Sequence, residues 1–580
     1  MIRRNYFRPV LLTILLFCST ATVSARQQQP ELISAETVKR YITALASDAF
    51  GGRESGTNGN VTAAKYAASA FFKARLKMIG TDLQKDATAK PDGSGYFQPF
   101  LFDAGSEVGP NSKLEADNKS VGKLGVDFAT SIISKNGDVD APTIQVHEGI
   151  ELADGSRNDY KGRDVVGKIV IVTYGSGTDD PHSPLQEAGS TRAKAMNARD
   201  KGALGLIEIV PNGVRPDSIV DANVADAGLP IMRITHGVAA DLSGGFLHMI
   251  TDVRKVKKTT SNVVGYLEGS DPVLKDEVVV IGAHLDHLGM GGPGSLDPSK
   301  TPAIHHGADD NASGTAGVMM LAEYFSHSTR PKRSILFICF SGEELGLLGS
   351  AWYVAHPIIP QSKTVAMLNM DMIGRMNENK LIVAGSGTSS VWNGLLDQVT
   401  SASKLAITKS DNGFGASDQA SFYAAGMPVL FFFTGTHADY HRPSDTSDKI
   451  NIPGEVQVIE YVAACASKIA NAEKRPDFVK MAIAQDSGAA RFRVSLGSIP
   501  DYAADVDGVM LSGVREGSAG EKAGLKAGDI LIKFGERTLH NVQDYTVALT
   551  ERKPGDVVAI VVRRGKETLT LTATLAASKR

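Results

Sequence analysis

The stretch that decides the fold is "EVVVIGAHLD", residues 277–286, a continuous apolar run that ends in polar residues. Such a run, rich in β-branched residues, is typical of a strand that is buried on both faces of a parallel sheet. Similar runs recur downstream, separated by helix-like stretches: "RSILFICFSGEE" (333–344), "TVAMLNMDMIG" (364–374) and "MPVLFFF" (427–433). The alternation predicts an α/β domain whose sheet is covered by helices on both faces.

Polar side chains that can bind metals recur where these strands end. They are His284, Asp309, Asp310, Glu343, Glu344, Asp371 and His441. In an α/β sheet, functional sites gather at the carboxyl ends of the strands. We therefore expect these side chains to share one site.

Imidazoles and carboxylates without a thiolate suit a catalytic zinc site better than a structural one. Zinc lowers the pKa of a bound water to about 7 and polarises a carbonyl group, as hydrolysis of an amide requires. Two zinc ions carry four positive charges, so the site needs several carboxylates, and one of them must bridge the ions. The predicted cofactor is two Zn²⁺ ions per chain.

Each motif has a simpler interpretation when it is taken alone. "HHGADDNASG" (305–314) has the composition of a turn, and Glu343 and Glu344 could open an exposed helix, where acids favour the N-terminal dipole. His441 alone would be an ordinary loop histidine, whereas an unpaired Asp371 among apolar residues would be costly. The remaining histidines of the region are expected to support the site or to face solvent: His287, His305 and His306.

Two further modules flank this unit. Residues 141–255 contain short β runs and one helical stretch, and the order "DVVGKIVIV", helix, "GALGLIEI", "LPIMRIT" resembles the protease-associated domain. Residues 490–577 are again β-rich, and "GVMLSGVREGSAGEKAGLKAGDILIKFGERTL" resembles a PDZ domain of the bacterial protease type. The predicted organisation places the N-terminal part of the α/β domain at 31–140 and its catalytic part at 256–475.

The succession "HLDHLG", "GADDNASG", "SGEELGLLGS", "NMDMIG", "SDQASF" and "YHRPSDT" resembles the family of di-zinc aminopeptidases that includes secreted bacterial leucyl aminopeptidases. The opening segment "LASDAFGGRESGTNG" (45–59) is also similar to that family. The resemblance implies a three-layer αβα zinc-peptidase domain with a mostly parallel mixed sheet. The β-rich protease-associated domain is then an insert, and the β-rich PDZ domain follows at the C-terminus.

The same resemblance implies a role for each residue of the site. Asp310 is the carboxylate that bridges the two zinc ions, and Asp309 stays off the metal. Glu343 is the general base, and Asp286 accepts the second N–H of an imidazole ligand. The remaining zinc ligands are His284 and Asp371 on one ion and Glu344 and His441 on the other. In family structures the peptide bond after the bridging aspartate is commonly cis, so we expect a cis bond between Asp310 and Asn311.

The resemblance says less about the substrate pocket. Asp418, next to Ser417 in "GASDQASF", is expected to organise the pocket or to receive the ammonium group of a substrate. Some family members place a tyrosine just before this motif to stabilise the oxyanion, but the equivalent here is Phe414, which has no hydroxyl. Tyr440 is the alternative donor.

The N-terminus predicts export. Residues 1–25 combine three arginines, a short apolar run and a small-residue ending, which is typical of a signal peptide and too short for a membrane span. Lipidation of Cys18 is a minor alternative. We expect a periplasmic or secreted protein with no transmembrane anchor after cleavage, and buried free thiols at Cys339 and Cys465. A net charge of −3 argues against nucleic acid as a partner.

The predicted function is that of a zinc aminopeptidase that acts on peptide substrates. Three alternatives stay open: a carboxypeptidase on the same site, a glutaminyl cyclase on a related scaffold, and a non-catalytic peptide-binding receptor. At the PDZ domain, "SLGSIP" (495–500) corresponds to the loop that holds a C-terminal carboxylate, so a C-terminal peptide is a candidate partner. The competing interpretation is that this domain only packs against the peptidase or helps it to oligomerise.

Overall fold

The computed structural model describes Met1 and residues 33–577, apart from 81–93, 118, 153–154, 179–183, 220–225, 243–244, 293, 300, 414, 416, 482–493, 501–503, 505, 516 and 551. Beyond Met1, the predicted signal peptide with Cys18 lies outside the described residues, as does Phe414.

The helices of the described chain are α1 (Ala35–Leu45), α2 (Asn58–Lys73), α3 (Pro184–Ala188), α4 (Thr191–Asp200), α5 (His236–Asp241), α6 (Gly314–His327), α7 (Leu348–Ala355), α8 (Trp392–Ser401), α9 (Gln419–Ala424), α10 (Ile452–Asn471), α11 (Ala519–Lys522) and α12 (Val542–Thr550).

The strands are β1 (Lys77–Met78), β2 (Phe97–Val108), β3 (Lys113–Ala116), β4 (Lys119–Ser120), β5 (Phe128–Thr130), β6 (Gly137–Gln145), β7 (Ile169–Thr173), β8 (Gly205–Ile209), β9 (Ile231–Ile234), β10 (Phe246–Thr251), β11 (Val253–Leu267), β12 (Val278–His284), β13 (Ser334–Phe340), β14 (Thr364–Met370), β15 (Lys380–Ala384), β16 (Ala406–Ser410), β17 (Val429–Phe433), β18 (Val494–Ser495), β19 (Ser498–Pro500), β20 (Val509–Val514), β21 (Ile530–Phe534), β22 (Arg537–Thr538), β23 (Val557–Arg564), β24 (Glu567–Thr574) and β25 (Ala576–Ala577).

The peptidase domain is built on a mixed sheet, in which nine strands pair within the described residues. Its order is β1-β11-β13-β12-β14-β17-β15-β16, with β2 alongside β11. The central strands β13, β12, β14 and β17 run parallel to one another, whereas β11 and β15 are antiparallel to their central neighbours. The predicted mixed sheet with a parallel centre is confirmed.

Helices cover both faces of this sheet because its central strands are apolar on both sides. In β12, Val279 and Ile281 face a core formed with α1, α2, α6, α8 and α10. The alternate residues Val278 and Val280 face a second core that includes Tyr353 of α7 and residues of α9. Side chains of successive strand residues point to opposite faces, so a continuous apolar run fills both cores. The three-layer αβα prediction is confirmed.

The insert forms a second sheet with the order β4-β3-β10-β6-β7-β8-β9-β5. The antiparallel pair β2 and β11 connects it to the peptidase sheet, since β2 leads into the insert and β11 leads out of it. Strands β3, β4 and β5 belong to this second sheet, although the sequence analysis assigned residues before 141 to the peptidase domain. The difference arises because this run is rich in Asp, Asn, Lys and Gly and lacks the alternation that marks a strand.

The C-terminal module has its own core, formed by residues of its strands and of α12, such as Leu511, Phe534 and Ile560. Its helix α12 contacts helix α4 of the insert through charged side chains. Asp544 of α12 is buried and lies 3.4 Å from Arg199 Nη1 and 3.6 Å from Arg192 Nη1. The insert and the C-terminal module are thus joined by a buried ionic contact.

Two further features concern the cysteines and the length and apolarity of the helices. Cys339 and Cys465 are both buried and free, as predicted. Within the described part of the chain, we find no helix with both the length and the apolarity needed to cross a bilayer.

Candidate metal centre and active site

The predicted site residues lie at one edge of the peptidase sheet. His284 is the last residue of β12, Asp371 directly follows β14, and Glu343 and Glu344 follow β13. Asp310 lies in the short helical segment Ala308–Ser313 before α6. Because β12, β13 and β14 run in parallel, their carboxyl ends meet at the same edge of the sheet.

One group of side chains surrounds the imidazole of His284. Its Nε2 atom lies 3.2 Å from Asp310 Oδ1 and 3.3 Å from Asp371 Oδ1. All three residues are buried, and their donor atoms are close enough together to hold one metal ion. These are the three residues predicted for the first zinc.

A second group shares Asp310 with the first. His441 Nε2 lies 3.2 Å from Asp310 Oδ2 and 3.2 Å from Glu344 Oε2, as expected for the second predicted ligand set. His441 has a φ of 55°, a left-handed conformation that costs free energy for a residue other than glycine and that is concentrated at functional sites.

His287 is a residue of this second group that the sequence analysis left in a supporting role. Its Nδ1 lies 2.7 Å from Glu344 Oε1, and together with Asp310 and Glu344 it forms a set that could hold a metal ion. Its ring also makes an edge contact with that of His441. The available signal was its place in "HLDHLG", three residues after His284.

The structure distinguishes the adjacent aspartates. Asp310 directs one carboxylate oxygen toward His284 and the other toward His441, whereas the Asp309 carboxylate contacts Gly374 and His437 instead. The peptide bond between Asp310 and Asn311 is cis, as expected. Asp310 is therefore the carboxylate that the two groups of side chains share.

The carboxylates and histidines of this cluster shift the pKa values of one another. Burial acts to raise the pKa of Asp310, but hydrogen bonds from His284 and His441 lower it well below its ordinary value. Burial and Asp310 act to raise the pKa of Glu344, yet its bonds to His287 and His441 lower that pKa to about 2. Burial disfavours a charged His441, but the same two carboxylates raise its pKa to about 10.

Glu343 has a different environment. Burial raises the pKa of its carboxyl group well above the ordinary value, the negative charges of Glu344 and Asp371 add to the rise, and His284 opposes it. Glu343 Oε2 lies 4.0 Å from His284 Nε2, so the carboxylate borders the metal-binding cluster without being part of either ligand group. A buried carboxyl group that binds a proton readily is suited to general base catalysis.

Asp286 supports the site in a different way from the one expected. His284 Nδ1 lies 3.2 Å from the backbone carbonyl oxygen of Asp286 and 3.9 Å from its carboxylate oxygen Oδ1. The carboxylate instead accepts a hydrogen bond of 3.2 Å from the backbone N–H of Glu343. The backbone carbonyl of Asp286, rather than its carboxylate, is thus the closer acceptor for His284 Nδ1.

Arg53, from the opening segment "GGRESG", is fully buried beneath the cluster. It donates hydrogen bonds to the carbonyl oxygens of Leu285, His306 and Gly307, which lie in or next to the motifs "HLDHLG" and "GADDNASG". Burial lowers its pKa to about 10, while nearby carboxylates such as Asp310 oppose this. The sequence analysis did not single it out, although the motif that contains it resembled the family.

The two predicted substrate residues lie near the cluster. The ring of Tyr440 stacks on that of His441 with a centroid distance of 3.8 Å. Asp418 is fully buried, and burial raises its pKa to about 7 against the opposing effect of His284. Their roles toward a substrate stay predictions.

The donor set fits zinc. It consists of imidazole nitrogens and carboxylate oxygens without a thiolate, which is the chemistry of catalytic zinc sites. His287 Nε2 is buried without a hydrogen-bond partner among the described residues. Several carboxylates converge here, and cations between them would relieve their mutual repulsion.

The C-terminal module has a sheet edge that is unpaired among the described residues. Its sheet has the order β19-β20-β21-β23-β24, so in this part of the chain β19 pairs with a strand on one side only. Near this edge, the Ser498 hydroxyl lies 2.7 Å from the Tyr545 hydroxyl of α12. An edge strand beside a helix is the usual place for an added peptide strand.

Known protein families match both the α/β domain and the C-terminal module. Residues 262–466 match Peptidase family M28, and residues 488–575 match a PDZ domain.

Two relatives with curated names are aminopeptidases. The aminopeptidase of Pseudomonas aeruginosa strain UCBPP-PA14 is 27% identical over 394 residues, which cover 64% of this chain and 66% of that protein. Aminopeptidase YwaD of Bacillus subtilis strain 168 is 24% identical over 338 residues, which cover 56% of this chain and 67% of that protein. The chain thus spans slightly less than two thirds of the length of the Pseudomonas relative.

Among solved structures, that of a zinc aminopeptidase from Bacillus subtilis aligns with a TM-score of 0.46 at 21% identity, over 77% of this chain and 98% of that one. The ordered motifs, the two groups of side chains around Asp310 and the matched segments lead to one assignment. Residues 262–466 match peptidase family M28, and the C-terminal residues 488–575 match a PDZ domain.

Proposed function

We propose that this protein is an exported zinc aminopeptidase that binds two zinc ions and removes residues from the N-termini of peptides. The observation that carries the proposal is the position of Asp310, whose two carboxylate oxygens each lie 3.2 Å from a different histidine. The match to a peptidase family and the names of the relatives support the reaction class. Export rests on the signal-peptide pattern of residues 1–25.

The two groups of side chains around Asp310 identify the residues that would hold the ions. His284 and Asp371 would bind one ion, Glu344 and His441 would bind the other, and Asp310 would bind both. When bound, zinc supplies Lewis acidity that polarises the scissile carbonyl and lowers the pKa of a water molecule.

The histidine ligands are oriented by backbone carbonyl groups. His284 Nδ1 lies 3.2 Å from the carbonyl oxygen of Asp286, and His441 Nδ1 lies 2.9 Å from that of Gly294. A carbonyl oxygen only accepts a hydrogen bond, so each Nδ1 carries a proton, and Nε2 is the nitrogen that would bind a metal ion after losing the proton it shares with the carboxylates. Both imidazoles are thus oriented as metal ligands require.

Glu343 is the proposed proton carrier. Its carboxylate would accept a proton from the attacking water and then deliver it to the nitrogen of the leaving amine, which leaves the net proton balance unchanged. Its raised pKa favours the protonated state that the second step requires. The backbone hydrogen bond to Asp286 fixes the position of Glu343 at the end of the strand segment.

The pocket residues have narrower roles. We propose that the Tyr440 hydroxyl donates a hydrogen bond to the developing oxyanion, because its ring lies stacked beside a metal ligand. Asp418, buried close to the cluster, would supply negative charge toward the ammonium group of the substrate.

The test uses the purified protein. Zinc analysis is expected to give about two ions per chain, and an aminoacyl nitroanilide should release the free amino acid. A chelator should abolish the release, and added zinc should restore it. A protein that binds zinc tightly but hydrolyses neither nitroanilides nor peptides would favour the alternative of a binding protein.

For the PDZ domain we propose binding of a peptide C-terminus at β19, which leaves one edge unpaired within the described residues. A fluorescent peptide with a free C-terminal carboxylate should bind, and the same peptide with a C-terminal amide should bind more weakly. Equal binding of both peptides would contradict recognition of the carboxylate.

A further inference from the structure

A buried pair behind the metal cluster has no part in the mechanism above. His437 Nε2 lies 3.1 Å from Asp309 Oδ2, and the Asp309 side chain is completely buried. Neither residue belongs to a group that could hold a metal among the described residues. Asp309 precedes the bridging Asp310, and His437 precedes the ligand His441 by four positions.

The hydrogen-bonding pattern fixes the tautomer of His437. The backbone N–H of Asp439 donates to His437 Nδ1 at 3.2 Å, so Nδ1 is an acceptor and the proton resides on Nε2. That Nε2–H donates to the Asp309 carboxylate. The pair is therefore a directed hydrogen bond from the loop that carries His441 to the segment that carries Asp310.

The second oxygen of Asp309 reaches a third ligand-bearing loop. Asp309 Oδ1 accepts a hydrogen bond of 2.6 Å from the backbone N–H of Gly374, three residues after the ligand Asp371. One carboxylate thus links the loops of Asp371 and His441 to the segment of Asp310. A methyl group at Gly374 would lie 2.9 Å from Asp309 Oδ1, so this close approach requires glycine.

A second contact attaches the part of the loop that follows His441. Asp445 Oδ2 accepts hydrogen bonds from the backbone N–H groups of Asp309 at 2.9 Å and Asp310 at 3.1 Å. The His441 loop is therefore attached to the bridging segment on both sides of the ligand, through His437 before it and Asp445 after it. His441, which lies between these two attachments, has a left-handed φ of 55°.

We propose that His437 and Asp309 are positioning residues that set the spacing between the bridging Asp310 and the ligand His441. The inference rests on the proposed function, because it assigns the pair a purpose in the binding of zinc. Residues that orient metal ligands through hydrogen bonds typically change metal affinity by about 10–100-fold when they are substituted.

The test compares two amide substitutions at one position. Glutamine at position 437 can place an N–H near the original Nε2, whereas the shorter asparagine places its amide near the original Nδ1. We expect His437→Gln to retain zinc affinity within about threefold and His437→Asn to bind the more weakly held zinc about 10–100-fold less tightly. Asp309→Asn should resemble His437→Asn, because its amide would oppose the Nε2–H donor.

Zinc dissociation constants are measured by competition with a chromophoric chelator, and unfolding temperatures are measured on the metal-free proteins. A positioning role predicts weaker zinc binding with little change in the unfolding temperature of the metal-free protein. His327→Asn, at an exposed position at the end of α6, is the matched control and should bind zinc as the unsubstituted protein does.

The outcomes separate the two claims. If the unsubstituted protein binds two zinc ions and His437→Asn and Asp309→Asn bind them equally well, the positioning role is overturned and the proposed function stands. If the unsubstituted protein binds no zinc, both are overturned.

Discussion

Glu343 and Glu344 are adjacent in the chain, but their carboxyl groups titrate in opposite directions. Burial raises the pKa of Glu343 well above its ordinary value, whereas hydrogen bonds to His287 and His441 outweigh burial at Glu344 and lower its pKa to about 2. Divergent environments of neighbouring carboxylates commonly separate an acid–base group from a charge-bearing group. This difference supports the proposal that Glu343 carries the proton and Glu344 binds metal.

This division predicts different results for two isosteric substitutions. Glu343→Gln should lower kcat by about 10²–10⁴-fold and leave the zinc content unchanged, because it removes only the proton acceptor. Glu344→Gln should lower the zinc content as well, because it removes a ligand. Metal analysis and steady-state kinetics on the same preparations check both. Full activity in Glu343→Gln would rule out its role as the base.

Gly374 provides a test of packing behind the cluster. A methyl group there would lie 2.9 Å from Asp309 Oδ1 and 3.1 Å from Glu455 Oε2, so Gly374→Ala should destabilise the protein by about 1–3 kcal/mol through overpacking. Gly394 in α8 is the matched control, because no atom lies within 4 Å of the corresponding methyl position.

Alanine at position 394 should stabilise the helix by about 0.5–1 kcal/mol, since glycine has a low helix propensity. Urea unfolding of both variants measures the difference. Equal free energies of unfolding for the two variants would show that a methyl group fits at position 374 without overpacking.

The lowered pKa of Asp439 predicts that the stability of the folded protein depends on pH. Burial acts to raise its pKa, but bonds to Lys449, Ser444 and Arg375 outweigh it and lower the pKa below the ordinary value. A carboxyl group whose pKa is lower in the folded state stabilises the fold above its unfolded pKa of about 3.9. This stabilisation is lost as the pH falls from about 4 toward the folded value.

The variant Asp439→Asn should therefore be less stable than the original by about 1 kcal/mol at pH 7. The difference should persist down to about pH 5 and shrink below about pH 4, where the Asp439 carboxyl group of the unfolded chain becomes protonated. Urea unfolding of both proteins across this range measures it. A stability difference that grows as the pH falls would contradict a lowered pKa of Asp439 in the folded protein.

The contact between the PDZ domain and the insert predicts a large effect of Asp544→Ala. The substitution leaves Arg192 and Arg199 without their shared carboxylate and also removes a hydrogen bond from the backbone N–H of His540. Loss of one partner from a buried ion pair costs about 3–5 kcal/mol.

Calorimetry should then show the PDZ domain unfolding at a lower temperature, and a protease should release it sooner. Glu536→Ala, which removes an exposed carboxylate on the same domain, is the control and should behave as the original does. Unchanged unfolding in Asp544→Ala would show that the docking contact contributes nothing to stability.

The sequence could predict those residues of the site that lie at the ends of regular strands. His284 and Asp371 come together because parallel strands bring their carboxyl ends to one edge, and apolar runs mark such strands clearly. The order of the motifs then added Asp310, Glu344 and His441.

The remaining contacts depend on the paths of loops, which periodicity does not determine. His437 and Asp445 meet Asp309 only because the loop around His441 folds back onto the bridging segment. Similarly, Arg199 and Asp544 are 345 positions apart, and no local pattern indicates that the PDZ domain docks on the insert. The early start of the insert was missed because its first strands are short and polar.

The most direct test of the central claim is a digest of one peptide in three forms, with products identified by mass spectrometry. The forms have free ends, an acetylated N-terminus, or an amidated C-terminus. A zinc aminopeptidase should remove N-terminal residues from the first and third forms and leave the acetylated one intact, and a chelator should stop the reaction. Removal of C-terminal residues, or hydrolysis that survives complete removal of zinc, would contradict the account.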